Sequence, residues 1–154
     1  MKLRDYLPAD NVVVGLQATT KAGLIRQLAE LSAERLKIGV EEIVRPLIAR
    51  ESLGSTGIGG GIAVPHAGVT GIEKHFCLFV RLAKAVDFEA VDELPVDLVF
   101  VLLNPENGPS HLNILSYIAR RMREDKVAQA VRMAISPADI YRELCPPDFP
   151  STSL

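Results

Sequence analysis

Tryptophan is absent, aromatic residues supply only 5% of the 154 positions, and cysteine occurs twice. Cys77 and Cys145 stand alone, without metal-ligand spacing, which excludes a disulfide-stapled scaffold and a cysteine-rich zinc site. They read as packing residues in a reducing compartment. The three histidines are scattered and do not make a metal site. No uninterrupted apolar run reaches the roughly 20 residues that a membrane helix needs. Met1-Lys-Leu-Arg-Asp-Tyr6 also lacks the apolar core of a secretory signal, so the expectation is a cytoplasmic protein without direct membrane insertion. A formal charge of -2 gives no electrostatic reason to expect nucleic-acid binding. No lysine lies between Lys37 and Lys74, so the glycine-rich segment in that interval cannot end as a P-loop does.

What the chain does contain is apolar residue in quantity, 48% of the total, enough for one domain with a substantial core. Leu3 to Pro8 reads as a short helical or turn segment and Asn11 to Gly15 as a brief strand. Thr20 caps a helix with Leu24, Ile25, Leu28, Leu31 and Leu36 at helical spacing, and Gly39 is the expected stop. Glu41 to Glu51 forms the next helix; Pro46, costing on the order of 3 kcal/mol inside a helix, predicts a late start or a kink there. Ile62-Ala63-Val64, Phe76–Leu82 and Val86–Phe88 read as strands, and Val96–Leu103 as an almost unbroken apolar strand of a covered sheet. Pro109-Ser110 opens a helix carrying Leu112, Leu115, Ile118, Ala119 and Met122 on one face. A further helix is expected from Asp125 to Ala134, and Ser136-Pro-Ala-Asp139 is a capped start for another. The expected fold is α/β, a single domain over 1–145 with a central mixed β-sheet flanked by helices on both faces, followed by a flexible tail at 146–154.

The unusual chemistry is concentrated between Arg50 and Gly68. Gly54 to Gly61 holds five of the 11 glycines, and the segment runs through Ile62-Ala-Val to Pro65-His66. Glycines this dense mark backbone that takes positive φ or lets another surface come close, and Pro65 fixes φ for the step into His66. A dinucleotide fingerprint starts at Gly57 and Gly59, but its third glycine position is Ile62, and a helix precedes the segment where a strand is required. A nucleotide-binding protein is therefore the weakest reading. A histidine on stiff backbone, an upstream arginine and an open loop are equipment for handling a phosphoryl group on protein nitrogen.

Gly54-Ser-Thr-Gly-Ile-Gly-Gly-Gly-Ile-Ala-Val-Pro-His66, preceded by Arg50-Glu51, closely resembles the active-site signature of the fructose/mannitol-type enzyme IIA of the bacterial phosphotransferase system. It is most similar to the nitrogen-regulatory branch. The resemblance extends over Pro95–Leu103 and His111–Ala119. It implies a cytoplasmic phosphohistidine relay protein in which His66 accepts a phosphoryl group, on Nε2, from a histidine phosphocarrier of the HPr or NPr type. This is protein-to-protein transfer, not a nucleotide-dependent kinase reaction, and it implies no cofactor and no metal. His111, opening a helix, is implied to hydrogen-bond the phosphoryl oxygens, and Arg50 to stabilise their charge; Glu51, next in sequence, is then a candidate to hold the guanidinium in place. Ser110 and Asn113 are further candidates beside His111.

Ser55, Thr56, Gly57 and Gly59 are candidate loop and phosphate contacts; the two hydroxyls suit fixing the loop's turns equally well. Exposed apolar residues near Ile58 and Val69 are expected to receive the carrier. His75, beside Lys74, reads as incidental. In the regulatory branch the phosphorylation state is read by target proteins such as transporters or sensor kinases; in the sugar-specific branch the phosphoryl group passes to a permease domain. A non-catalytic regulatory binding module is a further alternative. Ala67-Gly68 departs from the family, which commonly has glycine and then a basic residue after the histidine.

Overall fold

The computed structural model describes residues 3–108 and 112–147. Short 3-10 turns at Leu3–Asp5 and Ala9–Asn11 lead into strand β1, Val12–Leu16. Helices α1 (Lys21–Leu36) and α2 (Glu41–Glu51) follow. Three short strands come next, β2 (Gly57–Gly59), β3 (Ile62–Ala63) and β4 (His66–Val69), and then two long ones, β5 (Phe76–Val86) and β6 (Val96–Pro105). Helices α3 (Leu112–Met122), α4 (Asp125–Met133) and α5 (Pro137–Leu144) complete the order.

The strands form one mixed sheet in the order β1-β5-β6-β3-β2, with β4 also paired to β6. β1 runs parallel to β5, β5 antiparallel to β6, and β3 and β4 both parallel to β6. Side chains of a strand alternate between faces, and β6, with helices above and below, is apolar on both. Val99, Val101 and Leu103 enter the core under α1 and α2, while Leu98, Phe100 and Leu102 enter the core under α3, α4 and α5. Phe79 and Phe100 meet edge to face in the second core, with ring centroids 4.9 Å apart. Cys77 and Cys145 are buried free thiols of that same core, and burial raises the pKa of both, Cys145 to about 11. The two helical layers and the mixed sheet are those expected from the sequence.

Local signals set most helix ends. Thr20 accepts a hydrogen bond from the Gly23 amide at 3.0 Å, and Ser136 one from the Asp139 amide at 3.2 Å, each satisfying a donor that a helix start leaves open. Two details differ from expectation. α1 ends at Leu36 because Lys37, not Gly39, takes the left-handed cap, at φ 59°, with its amide on the Ala33 carbonyl. α2 begins at Glu41 with Pro46 inside it, so the start is not delayed.

β3 and β4 are two pieces of one path along β6. Ala63 pairs with Val99 and His66 with Leu102, three residues further on in both strands, so the register is kept across the gap. Pro65 sits in the gap, where its missing N–H costs no ladder bond, and its carbonyl accepts from the Leu102 amide at 3.0 Å. The sheet therefore carries the histidine on a strand paired directly to its central strand, β6.

Candidate functional site

The path from Arg50 to His66 leaves the end of α2, turns through the glycines as the β2–β3 hairpin and re-enters the sheet at β4. Two glycines show why bulk is excluded. A Cβ on Gly57 would lie 2.7 Å from the Ala90 Cβ and 2.9 Å from the Ala90 Cα. Gly61 takes φ +81°, and a Cβ there would meet Arg132 Nη2 at 2.6 Å. That arginine holds Asp97 through two bonds of 2.8 Å and donates to the Gly60 carbonyl at 2.7 Å. The Gly60 amide in turn donates to Asp92 at 2.9 Å. The hairpin is thus stapled to α4 and to the loop before β6.

Ser55 and Thr56 spend their hydroxyl protons on the loop itself. The Ser55 hydroxyl donates to the Phe88 carbonyl at 2.8 Å and accepts from the Gly57 amide at 3.0 Å. Buried Thr56 donates its hydroxyl to Glu51, which also accepts the Thr56 amide at 3.2 Å. Of the two roles open from sequence, the structure gives both residues the turn-fixing one. Glu51 does not brace Arg50, as its place beside that residue suggested; its carboxylate is occupied by Thr56 and by Lys21, whose Nζ lies 3.0 Å away.

His66 is half-buried, and its Nδ1 lies 2.8 Å from the Val64 carbonyl. A carbonyl only accepts, so Nδ1 carries the proton and Nε2 keeps its lone pair. The acceptor that fixes the ring, which no sequence pattern identified, is therefore the backbone two residues upstream. Arg50 Nε donates to His66 Nε2 at 3.2 Å, while Arg50 Nη1 donates to the Gly54 carbonyl at 2.9 Å. Burial pulls the imidazole pKa below its ordinary value of 6.5. The bond to Val64 opposes that shift, the Arg50 guanidinium adds to it, and the Glu51 carboxylate acts against it. The ring is consequently neutral at neutral pH.

Around it is a cleft of about 270 Å³ lined by Arg50, Ser55, Thr56, Ile58, Val64, His66, Leu115, Ser116 and Ala119. The structure thus brings His66, Arg50, Ser55 and Thr56 together, with Gly57 and Gly59 in the adjoining strand. His111 and Ser110 lie outside the described residues, and Asn113 is exposed on α3. Sequence reasoning missed the α3 wall of Leu115, Ser116 and Ala119, although their spacing of one, three and four is that of one helix face. Ile58 is exposed beside the cleft, as expected of a landing surface, but Val69 is fully buried. In β4, residues 67 and 69 point into the core while 66 and 68 point the other way, which removes Val69 from any docking role. Gly68 lines a separate cavity with Glu41, Glu42, Arg45, Pro46, Thr70 and Glu106, so the Ala67-Gly68 departure does not alter the cleft wall itself. Among the described residues no group of three or more His, Cys, Asp or Glu could hold a metal ion, and no helix is long and apolar enough to cross a membrane.

A mixed sheet between two helical layers, with a tautomer-fixed histidine at the end of a glycine hairpin and an arginine on its Nε2, defines an enzyme IIA-type α/β domain. Residues 5–145 match the family described as "Phosphoenolpyruvate-dependent sugar phosphotransferase system, EIIA 2", and the chain belongs to that family. It is 36% identical over 148 residues to a nitrogen regulatory protein of Bradyrhizobium diazoefficiens, covering 96% of this chain and 97% of that one. It is 34% identical over 119 residues to the fructose-specific EIIA component of Haloferax volcanii, covering 76% of this chain and 77% of that one. The crystal structure of nitrogen regulatory protein IIA-Ntr from Neisseria meningitidis superposes with a TM-score of 0.86 at 30% identity, covering 92% of this chain and 98% of that one.

Proposed function

We propose that this enzyme IIA is a phosphohistidine relay protein with His66 as acceptor, charged by an HPr- or NPr-like histidine phosphocarrier in the cytoplasm. The observation that carries the reading is the pair of contacts on one ring: Val64 holds the proton on Nδ1, and Arg50 marks the lone pair on Nε2. In the transfer, Nε2 attacks phosphorus and the N–P bond of the carrier breaks, its electron pair returning to the carrier nitrogen. The Nδ1 proton stays in place, and the Val64 carbonyl stabilises the positive charge that the phosphorylated ring acquires. Arg50 Nε, relieved of the lone pair, turns to the phosphoryl oxygens, for which a planar fork of donors is suited. Such transfer relies on positioning and charge stabilisation, with little covalent work for other side chains. His111, three residues before Ile114 of α3, is proposed to donate to the same oxygens.

The similarity to nitrogen regulatory proteins over nearly the full chain favours a regulatory role, in which target proteins such as transporters or sensor kinases read the phosphorylation state. Phosphorylation adds about two negative charges beside an exposed Ile58, enough to change the affinity of any partner sharing that surface. The second reading, a sugar-specific enzyme IIA delivering to a permease domain, is favoured by the fructose-specific relative. Incubation with carrier, phosphoenolpyruvate and the enzyme that charges the carrier is expected to give an acid-labile, base-stable label that His66→Ala abolishes. A label that survives the substitution overturns the assignment. Pull-down with both forms separates the branches: regulatory targets discriminate between them, whereas a permease domain takes the label.

A further inference from the structure

Lys21 is the first residue of α1, far in sequence from the histidine segment, yet it meets both anchors of that segment. Its Nζ lies 3.0 Å from Glu51 Oε1, 4.6 Å from the centroid of the Phe88 ring and 3.7 Å from Glu89 Oε1. Glu51 is the residue that takes the Thr56 amide and hydroxyl, and Phe88 is the residue whose carbonyl takes the Ser55 hydroxyl. One cation therefore fixes the two groups that hold consecutive residues at the entry of the glycine hairpin. The pair is sheltered: the Lys21 and Glu51 side chains are 17% and 6% exposed. By contrast Arg26 and Glu41 at 53% and 56% form an ordinary surface pair. A sheltered carboxylate without its cation is costly to keep buried and moves toward water, which weakens its hold on Thr56. Glu51 also follows Arg50 directly at the end of α2, so a shift of the carboxylate moves the backbone that aims the guanidinium at His66.

We propose that Lys21 is a positioning residue for phosphoryl transfer: by neutralising Glu51 and packing on Phe88 it locks the Ser55-Thr56 entry of the hairpin, and with it Arg50, in the geometry that His66 requires. This rests on the reading of His66 as acceptor. Lys21 touches neither the reacting atoms nor the cleft, so its loss lowers the maximal transfer rate and leaves the dependence on carrier concentration close to wild type. A displacement of about 1 Å at a reacting centre costs up to about 100-fold, and a decrease of about 10- to 100-fold is expected for Lys21→Met.

The test is rapid-quench phosphorylation of the full chain by charged carrier over a range of carrier concentrations, for wild type, K21M, K21R, K21M/E51Q and R26M. The proposal expects K21M to lose maximal rate with an unchanged half-saturation point, K21R to recover to within about threefold, and R26M to match wild type. K21M/E51Q, which removes the stranded charge with its partner, is expected to recover most of the loss and carries the test if K21M does not fold. Equal maximal rates for wild type and K21M, or a double variant that remains as slow as folded K21M, overturn the role of Lys21 while leaving His66 as acceptor intact. Absence of label on the wild-type protein overturns both.

Discussion

Replacing Gly57 by alanine tests whether the hairpin is held at the distance described. Gly57 has no positive φ, so the substitution adds no backbone strain, and its whole effect comes from the new methyl group. That group would lie 2.7 Å from the Ala90 Cβ, against an ordinary carbon–carbon separation of about 3.5–4.0 Å. Backbone atoms stand behind it, with the Ala90 Cα at 2.9 Å, so no flexible side chain can yield. The hairpin and the 87–95 segment must part by about 1 Å, an overpacking cost of about 1–3 kcal/mol. For a chain of this size each kcal/mol lowers the thermal midpoint by about 2–4 °C, giving an expected loss of about 2–12 °C. The same displacement moves the Ser55-Thr56 entry and is expected to slow transfer to His66 by about 10-fold or more. Gly39→Ala is the control: its Cβ meets only Glu42 Cγ at 3.7 Å, so the midpoint is expected to hold or rise. Differential scanning calorimetry and the transfer rate, measured on both variants, decide the matter. A Gly57→Ala protein with wild-type midpoint and rate would refute the claim that the approach of Ala90 fixes the site.

Three further outcomes follow from the same geometry. Because the folded-state pKa of His66 lies below 6.5, the unfolded chain binds its proton first as pH falls. The His66 contribution thus destabilises the fold progressively below about pH 6.5 until the folded form also protonates, and His66→Gln is expected to flatten that part of a denaturant-midpoint profile against pH. The transfer rate is expected to keep its neutral-pH value to below pH 6.5, since the neutral ring persists there; a rate halved at or above pH 6.5 contradicts this. Arg50→Lys removes the Nε donor to His66 and the fork that also holds the Gly54 carbonyl, and is expected to slow transfer by about 10- to 100-fold in rapid-quench assays.

How far the sequence could be read depended on whether a signal was local. The caps at Thr20 and Ser136, the α2 span and the two-faced apolar strand β6 were legible because each rests on neighbours a few residues apart. So was the site's outline, since Arg50, the glycines and His66 lie in one stretch. What was not legible depends on contacts across the fold. Val69 reads as a loop apolar residue until the β4–β6 pairing fixes the face on which it lies. Glu51 reads in the sequence as a brace for its neighbour Arg50, yet a lysine 30 positions upstream takes it instead. The Val64 carbonyl carries no side-chain signature at all, and only the folded backbone between β3 and β4 brings it to Nδ1. Lys37 takes a left-handed cap that propensity assigns to Gly39, because the chain must turn there for α2 to pack beside α1.

The central claim concerns which atom receives phosphorus, and nitrogen-15 and phosphorus-31 resonance of the carrier-phosphorylated chain, with histidine labelled in the ring, reports it directly. The account predicts a single phosphohistidine at residue 66, with phosphorus coupled to Nε2 and the proton retained on Nδ1. Coupling to Nδ1, or a phosphoryl group on any other residue, contradicts it.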